Sequence, residues 1–226
     1  MKNFPQPKTF PPGAKLIDGV WAQVISPKET TSNRPALFLD RDGVVCVEKN
    51  YMQRVEDVVL TPGAIDIIKL ANKKNIPAIL VTNQAGIGYG YYGWDEFANV
   101  QARLLDDISS LGGAIDGVFA CPFHEKGVPP WDHPSHPARK PNPGMILMAA
   151  ELMGVDLNPS WIIGDRTSDI LAGKNAGLAG GMHVLTGHGT NAGERENALS
   201  QASGDFAVKV GDDISFADKL LPLLAQ

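Results

Sequence analysis

Two carboxylates, Asp40 and Asp42, follow the apolar run Ala36-Leu37-Phe38-Leu39 and precede Gly43. A short uninterrupted apolar run reads as a strand buried on both faces, and open α/β sheets place ligand chemistry at the carboxyl ends of such strands. On extended backbone, residues two apart point the same way, so Asp40 and Asp42 are expected to share a cleft while Arg41 points elsewhere. Two further apolar runs end in polar residues, Thr82-Asn83 after Val81 and Asp165 after Ile163-Gly164. Asp169 lies four residues beyond Asp165, one helical turn away. Arg139-Lys140 precede Pro141-Asn142-Pro143-Gly144, where the prolines fix the approach to a helix start. If these strands are parallel neighbours, four carboxylates, a hydroxyl and a lysine converge on one sheet edge. Mg²⁺ takes hard oxygen ligands and keeps several waters, and phosphoryl transfer needs an in-line nucleophile, charge neutralisation and a leaving-group acid. A carboxylate can be that nucleophile, giving an aspartyl-phosphate that water hydrolyses.

The elements that must position these residues alternate. Strands are expected at 36–39, 77–82, 117–120, 161–163 and 182–185, with helices from Ala64, over 94–111, 144–153 and 168–176, and a closing helix over 214–224. The pattern predicts an α/β fold with a doubly wound, mainly parallel sheet and right-handed crossovers. Residues 1–34, rich in Pro, Lys and Thr with one apolar island at 16–25, read as an N-terminal arm, and residues 35–226 as a single domain. Residues 121–143, rich in Pro and His, are too irregular for an element and too long for an ordinary connection, which marks a functional loop.

Composition narrows the classes. The chain has 226 residues, enough for a full core, and a formal net charge of −5, which argues against coating nucleic acid. With only Cys46 and Cys121, a disulfide framework is not expected and a reducing cytoplasm fits. No run of about 18 apolar residues suits a membrane span.

The ordered set Asp40-x-Asp42-Gly43, Thr82-Asn83-Gln84, Arg139-Lys140-Pro141-x-Pro143-Gly144 and Gly164-Asp165-x-x-x-Asp169 resembles the haloacid dehalogenase-like (HAD) phosphatases over residues 34–188. Within them it is most similar to the branch of heptose bisphosphate and histidinol-phosphate phosphatases. The resemblance implies a Rossmann-like fold with a minimal cap and a small phosphorylated metabolite as substrate, a heptose bisphosphate first and histidinol phosphate second. It implies Asp40 as nucleophile and Asp42 as acid and then base. Asp40, the Asp42 carbonyl and Asp165 would bind Mg²⁺, with Asp169 in support. Thr82 and Lys140 would hold the phosphoryl group, and Glu48, Tyr51, Asn83, Gln84, Arg139 and Arg166 would contact substrate.

Val44 stands where relatives usually carry Thr. That branch also holds a structural zinc through a Cys-x-His and a Cys-x-Cys pair; the matching positions here are Cys121, Phe123, His136 and Ala138. Two ligands are missing, yet Cys121-x-x-His124 and His133-x-x-His136 have a spacing compatible with a tetrahedral Zn²⁺ site. Gly88-x-Gly90-x-x-Gly93 matches a dinucleotide fingerprint but lies away from its strand and lacks the ribose carboxylate, so it reads as a loop beside the cleft. Tyr89, Tyr91, Tyr92 and Trp94 read chiefly as packing, Cys46 as buried, and His183 and His188 as structural or solvated. A non-catalytic phosphate or metal sensor is the alternative of another class, disfavoured by the second carboxylate, Asp42. Oligomeric state is not readable.

Overall fold

The computed structural model describes residues 4–26 and 33–225, and its centre is an eight-stranded sheet. The strands are β1 (Ala14–Ile17), β2 (Val20–Val24), β3 (Arg34–Leu39), β4 (Ala78–Asn83), β5 (Gly117–Cys121), β6 (Val155–Gly164), β7 (Gly180–Val184) and β8 (Ala207–Gly211), in the order β1-β2-β5-β4-β3-β6-β7-β8. The six strands from β5 to β8 in that order run parallel, and β1 and β2 are antiparallel at the edge. Helices α1 (Ala64–Lys73), α2 (Ala85–Gly88), α3 (Trp94–Ser110), α4 (Gly144–Met153), α5 (Thr167–Ala176), α6 (Glu194–Leu199) and α7 (Ala217–Leu220) connect them. The expected doubly wound, mainly parallel α/β sheet is what forms.

β3 lies at the centre because Ala36 to Leu39 are fully buried on both faces, which only a strand covered by helices on each side sustains. Its neighbours are β4, with Leu39 opposite Leu80, and β6, with Leu39 opposite Ile163. The chain departs from β3 in two directions, through β4 to β5 and later through β6 to β8, so the crevice beyond Leu39 is the sheet's switch point. The connections at 40–63 and 122–143 contain neither strand nor α-helix, consistent with a minimal cap.

Three expectations are corrected. The described part of the arm is a β-hairpin built into the sheet: Trp21 pairs with Ala120 of β5, is fully buried, and packs against Trp94 and Phe97. The sheet gains β8, whose short, half-exposed Ala-Val-Lys-Val-Gly carries no long apolar run. The closing helix is a 3-10 turn at Ile214–Phe216 followed by α7, which stops ahead of Pro222 because proline cannot continue the hydrogen-bond ladder. Residues 27–32 of the arm lie outside the described residues.

The loop after β5 is ordered by rings. Phe4 stacks on Trp131 at 5.1 Å and meets Phe123 edge-on at 5.6 Å, while His136 lies flat on Phe123 at 3.8 Å. Offset and edge-to-face contacts of this kind add about 0.5–1.5 kcal/mol each beyond area burial.

Candidate active site

β3, β4 and β6 end side by side, so Asp40, Thr82 and Asp165 meet in the crevice. Asp169 joins them from the first turn of α5, where its Oδ2 accepts the Arg166 N–H at 3.0 Å as the helix's capping carboxylate. Lys140, almost fully buried, donates from Nζ to Asp40 Oδ1 at 2.8 Å and to the Val81 carbonyl at 2.7 Å, and stands 2.6 Å from Asp169 Oδ1. Its charge is held well above the ordinary lysine range by those two carboxylates, despite burial. Asn83 fixes it in turn, accepting the Lys140 N–H at 3.1 Å and donating to its carbonyl at 3.0 Å.

Among the described residues, the group of potential ligands that gathers within 4.8 Å is Asp40, Asp165 and Asp169, all buried. One lysine cannot balance three carboxylates. Burial raises Asp40 to about 7 against the pull of Lys140, and burial with Asp40 and Asp169 raises Asp165 to about 8. Asp165 Oδ2 accepts the His188 N–H at 2.7 Å, whereas buried Oδ1 has no partner. A buried carboxylate oxygen left unpaired is costly, and a hard divalent cation with oxygen ligands answers both the charge and the lone pair. The residues therefore fit Mg²⁺, with Asp169 beside Asp40 and Asp165 and its own oxygens engaged by Lys140 and the Arg166 N–H.

Asp42 sits apart from that group. Arg41 does not point away from it: the fully buried guanidinium grips the Asp42 carboxylate, with Nη2 at 2.9 Å from Oδ2 and Nε at 3.1 Å from Oδ1. Gln84 Nε2 also donates to Asp42 Oδ2, at 3.1 Å.

The crevice opens into a cavity of about 480 Å³ lined by Glu48, Tyr51, Arg139, Arg166 and every expected catalytic side chain. Asn83 and Gln84 border it, but their amides are spent on Lys140 and on Thr82, Asp42, Arg41 and Tyr92. Arg139 is braced by donating to the Phe123 carbonyl at 3.0 Å. Tyr89 and His124 line the same cavity with their rings 4.9 Å apart. His188, read as structural or solvated, belongs to the site through its backbone N–H on Asp165, with its ring 3.7 Å from Glu48.

The zinc expectation finds no support among the described residues, whose gathered ligands are the three aspartates. Cys121 ends β5 with its thiol sealed and pushed up to about 12 by burial. The Nδ1 atoms of His124, His133 and His136 accept the N–H groups of Lys126, Ser135 and Ala138, and the rings are committed to Tyr89 and Phe123. Aromatic stacking holds the loop where a metal was expected. Cys46 is buried, its thiol raised to about 12, as its inert reading requires. Among the described residues no helix is long and apolar enough to cross a membrane.

A family profile described as HAD-hydrolase-like matches residues 137–215. The D-glycero-beta-D-manno-heptose-1,7-bisphosphate 7-phosphatase of Mesorhizobium japonicum is 44% identical over 177 residues, covering 78% of this chain and 82% of that one. The D-glycero-alpha-D-manno-heptose-1,7-bisphosphate 7-phosphatase of Burkholderia mallei is 42% identical over 144 residues, covering 63% of this chain and 76% of its own. In solved structures, a Mesorhizobium loti protein described as HAD-like superposes with TM-score 0.82 at 38% identity, covering 94% of this chain and 96% of that one. D,D-heptose 1,7-bisphosphate phosphatase of B. bronchiseptica, crystallised with magnesium and phosphate, superposes with TM-score 0.68 at 27% identity, covering 83% and 98%. Similarity of this extent means that the chain, whose sheet edge gathers Asp40, Thr82, Lys140, Asp165 and Asp169, belongs to the haloacid dehalogenase-like phosphatases and is a phosphoric monoester hydrolase.

Proposed function

We propose that this phosphatase removes one phosphate from a heptose 1,7-bisphosphate in a Mg²⁺-dependent reaction through an aspartyl-phosphate on Asp40. The observation that carries it is the buried set Asp40, Asp165 and Asp169, with Lys140 bridging Asp40 and Asp169, in a chain 44% identical to a heptose bisphosphate phosphatase.

When bound, Mg²⁺ would supply charge neutralisation at the transferring phosphoryl group, held by Asp40, Asp165 and the Asp42 carbonyl with Asp169 in support. Lys140 and Thr82 orient the phosphoryl oxygens. An Asp40 carboxylate oxygen attacks phosphorus as the bond to the sugar oxygen breaks, and Asp42 gives that oxygen its proton. Asp42, now a carboxylate, takes a proton from water; the water oxygen attacks phosphorus and expels the Asp40 carboxylate, releasing phosphate. The guanidiniums of Arg139 and Arg166, with Glu48 and Tyr51 on the cavity wall, suit the second phosphate and the hydroxyls of the sugar. A cytoplasmic setting and a small phosphorylated metabolite as substrate complete the reading.

The test is phosphate release from a panel of sugar mono- and bisphosphates and histidinol phosphate, with and without a chelator. A heptose bisphosphate should be preferred and chelation should stop release. Asp40→Asn should lower kcat by roughly three orders of magnitude or more, since removing a nucleophile disables the whole unit. Release by Asp40→Asn at the wild-type rate would sink the covalent route.

A further inference from the structure

Gln84 is almost fully buried, and its amide is engaged on both sides. Nε2 donates to Thr82 Oγ1 at 2.8 Å and to Asp42 Oδ2 at 3.1 Å, while Oε1 accepts from the Tyr92 hydroxyl at 2.7 Å and from Arg41 Nη2 at 3.1 Å. A primary amide offers two N–H groups and two lone pairs, so its capacity is filled by protein. We propose that Gln84 is a positioning residue that aims the Thr82 hydroxyl and the Asp42 carboxylate, and that Tyr92 and Arg41 fix which way its amide faces.

The direction of the amide follows from its partners. A guanidinium has only donors, so the atom facing Arg41 must be the carbonyl oxygen. Tyr92, its phenol kept protonated by burial, donates to the same atom. With Oε1 pinned from behind, Nε2 is left to face the crevice. Thr82 Oγ1, accepting from Gln84, has its own O–H to give, and a phosphoryl oxygen is the acceptor the site brings to it. Asp42 is held at a defined rotamer beside the reacting atoms instead of sweeping the cavity. The seat of Tyr92 is built: a Cβ on Gly86 would stand 2.3 Å from the Tyr92 ring, so only glycine admits the tyrosine there. Arg41 is steadied by the Phe97 ring 5.5 Å beneath its guanidinium.

The inference rests on the acid and base role proposed for Asp42, so Asp42→Asn is measured in the same series. The probe is p-nitrophenyl phosphate with Mg²⁺, which frees the result from the identity of the sugar. Tyr92→Phe keeps the ring and loses one donor, and should lower kcat by up to about tenfold with KM unchanged. Gln84→Glu keeps the length and both accepting contacts but sets a carboxylate against Asp42, and should lower kcat by about a hundredfold, again at constant KM. Should Gln84→Glu fail to fold, as its melting curve would reveal, Tyr92→Phe still decides. A raised KM at constant kcat would make Gln84 a substrate contact and overturn the inference, as would wild-type values of both constants. An inactive Asp42→Asn beside normal Gln84 and Tyr92 variants overturns this inference alone; an active Asp42→Asn overturns the role on which it rests.

Discussion

Asp165 is gripped by two glycines. A Cβ on Gly187 would stand 2.2 Å from its Oδ2 and one on Gly43 2.3 Å from the same atom, and both residues have positive φ, 52° and 87°. No side chain fits without moving the carboxylate, and the backbone shape costs a further 1–2 kcal/mol or so for any L residue. Gly187→Ala is therefore expected to fold less stably and to lose most of the cation's stabilising effect. In the wild type, Mg²⁺ at about a hundred times its Kd should add about 2.7 kcal/mol; the check is the melting temperature with and without Mg²⁺, and an equal rise in both proteins would refute the prediction. Residues at this scale were legible where chemistry resides in a side chain at the end of an apolar run, as for Asp40, Thr82 and Asp165. His188 was not, because what it gives is a backbone N–H that any residue could supply. Asn83 and Gln84 suited substrate contact by type, and only the fold shows their amides spent on Lys140 and on Asp42.

Among the elements, the parallel strands were legible because burial on both faces writes itself as continuous Val, Ile, Leu and Phe. The loop at 122–143 was legible as functional but not in its cohesion, since its own rings Phe123, Trp131 and His136 are locked together with Phe4 from far away in sequence. Its stacking makes the loop acid-sensitive. His136 is held down to about 4, first by desolvation and then by His133. An unfolded histidine takes its proton near pH 6.5, so below that pH the proton favours the unfolded chain, and stability falls as pH drops from about 6.5 towards 4. His136→Phe preserves the stack and removes the proton site. Its melting temperature should gain on that of the wild type between pH 7 and pH 4.5, and a constant gap across that range would contradict the assignment.

At the scale of the molecule, the antiparallel hairpin β1–β2 closes one edge of a parallel sheet. It escaped the sequence reading because a proline-rich neighbourhood disguises nine strand residues and the partner strand β5 is remote. Deleting residues 1–26 would leave the edge of β5 unpaired and uncover Trp94 and Phe97, and an exposed apolar edge strand templates association. The deletion variant should scatter light at concentrations where the full chain does not; a clear, monodisperse solution would count against the role given to the hairpin. The same pairing sets a schedule for biogenesis. Trp21 emerges from the ribosome roughly a hundred residues before Ala120, its partner in register, which at translation rates of about 5–20 residues per second is a wait of about 5–20 s. During that interval Trp21 has no sheet edge to receive it, and its burial must wait for β5.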